Sequence, residues 1–278
     1  MLDAKDESLP GRVIIVTGGV RGLGREMALA LVEQGAKVVV TGSTESAAMT
    51  ETIAMAETIA GKDCMIGIAA DVSDFNSCQS LVNATLVRYG ALHALVNNAG
   101  IGMRLISETF NTVPVNFWEI DPDHWRRIID TNVNGVFNMT RACVPHMLTQ
   151  GFGKVINVST SDPTMVRRGY SPYGPSKAAL EAMSRVWAQE LEGRGVDINV
   201  YLPGGAADTD LLPPSANKRG ADGQLLPAAI MRRGIAWLCS DASNGHSGGR
   251  YIARLWDETL PSGQGAATAS APGHFPRA

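Results

Sequence analysis

Short β-branched and apolar runs recur along the chain at residues 13–16, 38–41, 65–69, 94–97, 155–159, 198–202 and 251–253, with stretches of helical period between them. Strands that alternate with helices predict right-handed crossovers and a mostly parallel sheet. The expected fold class is therefore α/β: a doubly wound parallel sheet of about seven strands with helices on both faces. Ligands of such sheets sit beyond the carboxyl ends of the strands, so chemistry is sought in the residues just after each run.

Local signals sharpen this parsing. Asp121 is placed to cap a helix whose first turn tolerates Pro122 and which continues through Trp125, Ile128 and Ile129. From about residue 176 to 191, Leu180, Met183, Trp187 and Leu191 repeat at helical spacing on a segment that carries Lys177, with Gly193 as the stop. One domain is expected over residues 1–260, followed by a flexible C-terminal tail at 261–278 that is rich in Gly, Ala, Ser and Pro. Two irregular stretches, 101–120 and 208–227, exceed a minimal connection and are expected to cover a substrate.

Charge and composition narrow the possible partners. The 24 basic and 27 acidic residues nearly cancel and form no long basic run, which argues against nucleic acid as a partner. No apolar stretch reaches bilayer length, and the acidic opening segment has no apolar core, so a soluble, cytoplasmic protein with no membrane partner is expected. Cys64, Cys78, Cys143 and Cys239 lack metal-ligand spacing and suit buried free thiols, so no metal site is expected.

The first run leads directly into Thr17, Gly18, Gly19, Val20, Arg21, Gly22, Leu23 and Gly24, and then into a helical pattern with Met27, Leu31 and Val32. A glycine turn between strand and helix lets a pyrophosphate approach the backbone, with the helix amino-terminal N–H groups aimed at the anion. Farther along, Tyr173 and Lys177 stand four residues apart, which places a phenol and an ammonium on one helix face. Reduction of a carbonyl requires a proton donor, and a neighbouring cation should draw the phenol pKa toward the working range.

The glycine spacing, the Asn97-Asn98-Ala99-Gly100 segment after the fourth run and the Tyr173/Lys177 pair resemble the short-chain dehydrogenase/reductase family over roughly residues 12–257. That resemblance implies a Rossmann fold. It also implies a cofactor site made of Gly18, Arg21, Gly22, Leu23, Gly24, Asn98, Ala99 and Gly100, with Asp71 and Val72 at the adenine. Taken alone, Asp71 is equally a helix cap or turn former. Pro203, Gly204 and Thr209 correspond to the segment that brackets the nicotinamide, although Thr209 stands one residue later than usual. Thr160 stands where the family has a substrate-binding hydroxyl, usually serine, and Ser161 is the competing candidate. Asn132 matches the residue that holds a proton-relay water, with Asn134 as its neighbouring alternative.

At the end of the second strand an acidic residue would select NAD, and Gly42 occupies that position. With Arg21 in the glycine loop and Ser43 and Thr44 nearby, NADP(H) is favoured over NAD(H). The expected activity is hydride transfer between nicotinamide and a small-molecule ketone or secondary alcohol. The alternative is a catalytically silent dinucleotide-binding regulatory protein of the same fold, with enoyl reductases and epimerases as more distant branches. The resemblance further implies a homo-oligomer, a homotetramer or dimer, built on the helices of Asn132 and Lys177, with Trp187 as an anchor. Arg167 and Arg168, between Thr160 and Tyr173, are either anion-recognising or simply solvated; the residues alone leave both readings open.

Overall fold

The computed structural model describes residues 7–214, 218–219 and 223–273. All seven expected strands form: β1 (Val13–Thr17), β2 (Lys37–Thr41), β3 (Met65–Gly67), β4 (Ala94–Asn97), β5 (Gly153–Val158), β6 (Val196–Leu202) and β7 (Arg250–Ile252). They join in one parallel sheet of order β3-β2-β1-β4-β5-β6-β7. The chain reverses its winding direction between β1 and β4, which leaves a crevice at their carboxyl ends.

Strand alternation divides the core between the two faces. Ile14, Val16, Val38 and Val40 pack with α1 (Gly22–Glu33), α2 (Ala47–Ala60) and the short α8 (Ile235–Cys239). Ile15, Val39, Leu95 and Val155 point the other way, toward α3 (Phe75–Tyr89), α5 (Gly135–Gln150) and α7 (Tyr173–Glu190). Both alternating sets must therefore be apolar, which explains runs such as Val-Ile-Ile-Val. All four cysteines are free and buried, and burial pushes their thiols up in pKa, to about 12 for Cys78 and Cys239. Among the described residues no helix is long and apolar enough to cross a membrane.

Asp121 caps α4 (Pro122–Ile129) by accepting from the Asp123 N–H, with proline in the first turn as the sequence suggested. The segment from residue 261 departs from the expectation of a flexible tail. Ser262–Ala269 forms a helix, α9, whose Gly265, Ala266 and Ala269 are buried. Ser270 then bridges to Tyr251. The helix lies so close to Trp256 that a Cβ on Gly265 would fall 2.9 Å from the indole Nε1. Small residues pack by close approach, so low apolar content understated how well this segment docks. Residues 274–278 of the expected tail lie outside the described residues.

Candidate active site

The glycine loop lies at the crevice. Gly18 adopts a left-handed φ of +61°, and a Cβ there would stand 3.0 Å from the Ala99 Cα. Gly24 has even less room, because a Cβ would come within 2.3 Å of the Gly18 carbonyl oxygen. Asn98 fixes this approach: its Nδ2 donates to the carbonyls of Thr17 and Gly18, both at 3.0 Å, while its own N–H donates to Thr17 Oγ1. Helix α1 begins at Gly22 with no side-chain cap and no acidic residue in its first turn. Its amino-terminal donors are thus left for an anion, which fits the diphosphate of a dinucleotide.

The reactive side chains converge from β5 and α7. The latter begins at Tyr173, a few residues earlier than its periodicity indicated, so Tyr173 and Lys177 are one turn apart on one face. The Lys177 ammonium donates to the Val158 carbonyl at the end of β5, at 2.8 Å. Thr160 hydrogen-bonds the Tyr173 phenol, whereas Ser161 is occupied with Thr164 Oγ1 at 3.0 Å. The geometry therefore separates the two candidate hydroxyls.

Asn132 is likewise separated from its neighbour. It is fully buried in a π-helical stretch, Asp130–Asn134, between α4 and α5. Its Oδ1 accepts from the Ile101 N–H, and its Nδ2 donates to the Ile101 carbonyl and to Ser176 Oγ. Ser176 Oγ in turn donates to the Tyr173 carbonyl at 2.6 Å, which joins this stretch to the first turn of α7. Exposed Asn134 binds Asp130 instead. Gly100 keeps the space beside the two functional groups open: a Cβ there would lie 3.4 Å from Asn132 Oδ1 and 3.8 Å from Lys177 Nζ.

One cavity of about 840 Å³ connects these parts. Gly18, Arg21, Gly22, Leu23, Ser43, Thr44, Asp71 and Val72 line it toward β1 and β2, and Asn98, Ala99, Gly100, Thr160, Tyr173, Lys177, Pro203 and Thr209 line the remainder. Gly24 and Gly204 lie behind the wall. Gly204 packs against Ile252, and Gly205 reaches the cavity in its place. Asp71 also serves as a turn former, accepting from both the N–H and the hydroxyl of Ser73. Arg21 is exposed and pairs with Asp210 at 3.1 Å. Both irregular stretches contribute wall: Met103 and Phe110 from the first, Leu211 and Leu212 from the second. Val113, Phe117 and Trp118 of the first stretch are exposed and stand outside it.

In the chain alone, burial outweighs the neighbouring charge at both groups. The Tyr173 phenol is pushed up to about 12, chiefly by burial and opposed by its hydrogen bond with Thr160, rather than drawn down by the lysine. Lys177 is lowered to about 8, again chiefly by burial, with the charge of Glu181 one turn along opposing the fall. The ammonium is committed to a backbone carbonyl instead of the phenol, and burial penalises both charged forms.

Several contributors had no sequence motif. Tyr170 stacks edge-on against Phe110, with ring centres 5.3 Å apart, and joins Met103 and Tyr173 in a small apolar cluster. Behind Thr160, buried Arg250 binds both oxygens of buried Glu181 at 3.1 Å and also pairs with Asp162, the first residue of the short helix α6 (Asp162–Met165). Asn97, Asn157 and Ser184 form a buried chain of amide and hydroxyl bonds between β4, β5 and α7.

Comparison with known proteins agrees with this construction. The family model described as short chain dehydrogenase matches residues 12–220. A short-chain type dehydrogenase/reductase of Picea abies is 36% identical over 246 residues, covering 84% of this chain and 87% of its own length. The 3-oxoacyl-(acyl-carrier-protein) reductase of Salmonella typhimurium is 30% identical over 244 residues, covering 85% and 93%. Among solved structures, a 3-ketoacyl-(acyl-carrier-protein) reductase of Brucella melitensis complexed with NADH superposes with a TM-score of 0.76 at 28% identity, covering 87% of this chain and 96% of its own. A glycine loop at an uncapped helix start, a buried tyrosine–lysine pair and these relatives together make the chain a member of the short-chain dehydrogenase family of oxidoreductases.

Proposed function

We propose that this protein is an NADP(H)-dependent oxidoreductase of ketones and secondary alcohols, with Tyr173 as proton donor and acceptor. The observation that carries this reading is a single cavity walled by the glycine loop toward β1 and by Thr160, Tyr173 and Lys177 beyond it. A nicotinamide dinucleotide, when bound, supplies the hydride donor or acceptor. The chain's residues supply the remaining steps. In the reducing direction Tyr173 gives its phenolic proton to the substrate oxygen. A pKa pushed up to about 12 keeps that proton in place at neutral pH.

Thr160 orients the phenol and offers a second hydroxyl to the same substrate oxygen. Lys177 stabilises the phenolate left behind. One of its three N–H groups is held by Val158, so the others remain for the cavity side. Asn132 uses both amide protons on chain partners, and the free lone pair of Oδ1 is what it offers to a proton relay. Pro203 and Thr209 would hold the nicotinamide end of the cofactor, and Asp71 and Val72 its adenine end, all four lining the cavity.

The preference for NADP(H) rests on Gly42, which gives the end of β2 no carboxylate, and on Arg21, Ser43 and Thr44 at the same part of the cavity. Asp210 is the partner Arg21 would exchange for a 2′-phosphate. Exposed Phe137 on α5 and Val186 on α7, beside half-buried Trp187, support a homo-oligomer formed through these helices in a cytoplasmic protein. Sedimentation velocity checks the assembly. Carbonyl and alcohol panels followed by nicotinamide absorbance, with Tyr173→Phe as control, test the reaction. Turnover that fails in Tyr173→Phe is expected. Tight cofactor binding with no turnover across the panel would establish the silent regulatory alternative, and tighter binding of NADH than NADPH would overturn the cofactor assignment.

A further inference from the structure

The two adjacent arginines of the Thr160–Tyr173 segment occupy different environments. Arg168 is exposed and does not line the cavity, whereas Arg167 is half-buried and lines it together with Thr164, Tyr170 and Tyr173. The Arg167 side chain is held in place: Nη1 donates to the Tyr170 hydroxyl at 3.2 Å, and the guanidinium carbon lies 4.9 Å from the centre of the same ring. A cation over an aromatic face is fixed without being neutralised.

Among the described residues no carboxylate pairs with Arg167. Arg21, which also lines the cavity, pairs with Asp210 at 3.1 Å; Arg127 and Arg219 line it as well, and what sets Arg167 apart is its fixed seat on Tyr170, in the cluster that contains Tyr173. Asp210 lines the cavity and is taken by Arg21. A planar guanidinium on a walled surface, with one donor used on a phenol and the others unspent, is suited to bidentate recognition of an oxyanion. Tyr170 connects it to the chemistry, since it shares an apolar cluster with Met103, Phe110 and Tyr173.

We infer that the carbonyl substrate carries a carboxylate, separated from the reacting carbon by a short apolar stretch lying along Met103, Phe110 and Tyr170, and that Arg167 binds that carboxylate. The inference rests on the proposed oxidoreductase reading for the word carbonyl; the anion site itself rests on the placement of Arg167. It makes Arg167 a specificity-determining residue and gives Arg168 no part in recognition.

The test uses straight-chain methyl ketones of increasing length that end in a carboxylate, each beside its methyl ester, with NADPH as reductant. The wild-type protein is expected to favour the acid of the best-fitting length over its ester by about 10- to 100-fold in kcat/KM, the range of a charge-assisted bond to a partly buried cation. In Arg167→Gln that acid-to-ester ratio falls to near one, chiefly through KM, whereas Arg168→Gln keeps it. Calorimetric titration of the same carboxylates needs no turnover and should show binding that Arg167→Gln removes. Equal use of acid and ester by the wild-type protein, or a preference that survives in Arg167→Gln, would overturn the inference. Absence of turnover for every carbonyl would instead sink the oxidoreductase reading, and Arg167-dependent carboxylate binding in the same samples would keep the anion site.

Discussion

Lys154 and Lys177 are both buried, on β5 and α7, yet they are held in opposite ways. Lys154 donates to the Asp197 carboxylate on the adjacent strand at 2.7 Å, so its charge has a counter-ion. Lys177 donates to a backbone carbonyl at 2.8 Å, and the nearest acidic influence is Glu181, which is itself bound by Arg250. Burial lowers both lysines, but only Lys154 has a hydrogen-bonded carboxylate to oppose it. A buried cation with its own counter-ion is a structural element. One kept without is held at a cost in stability, and such costs are usually retained where chemistry uses them.

The comparison is broken most directly by removing each ammonium while keeping its apolar stem. Lys177→Met should lower kcat by about 10²- to 10⁴-fold. The same change should raise unfolding free energy near neutral pH by roughly 1–3 kcal/mol, because the penalised charge is gone. Lys154→Met should do the reverse: lose about 3 kcal/mol by stranding the Asp197 carboxylate, with kcat of the folded protein unchanged. A thermal melt and a single-substrate assay on both variants suffice, and two variants that lose activity equally would erase the distinction.

A pH series sharpens the same contrast with a smaller effect. The folded pKa of Lys177, about 8, lies below its ordinary 10.5, so between these values the unfolded chain binds more protons. Wild-type stability should therefore climb relative to Lys177→Met as pH rises from about 8 to 10.5. A flat difference across that window would mean the lysine is not buried as described. Smaller again is the effect of Glu181→Gln. Glu181 holds the Lys177 pKa up, so its removal should move the alkaline limb of the kcat profile to lower pH. Chemical denaturation of the same variant separates that shift from the expected loss of the Arg250 pairing.

Much of this arrangement could be read from the residues because it is local. Val13–Thr17 announces a buried strand by composition, Asp121 and Pro122 mark a helix start within three residues, and the four-residue interval from Tyr173 to Lys177 needs only a helix to become a shared face. Thr160 and Asn132 each stood beside a rival in the sequence, and the structure gives those rivals other partners: Ser161 binds Thr164 and Asn134 binds Asp130. What stayed hidden was long-range. Glu181 and Arg250 are 69 positions apart, and Asn97 and Asn157 are 60 apart, separations at which no period or spacing rule applies. The upward push on Tyr173 was hidden for the same reason: a neighbouring cation can be inferred from spacing, but the depth at which both groups are packed cannot. Helix α9 escaped notice because alanine and glycine contribute little hydrophobicity while allowing close contact with Trp256.

That contact gives the protein an optical reporter. Trp256 lies edge-on to Trp237 with ring centres 5.7 Å apart, and Tyr251 is tilted beside it at 6.3 Å. Indoles this near one another couple their electronic transitions, so near-ultraviolet circular dichroism registers their mutual orientation. Release of the last helix should change only the Trp237–Trp256 part of that signal, whereas a general loosening of packing would also remove the contributions of pairs far from it, such as Phe117 with Trp118.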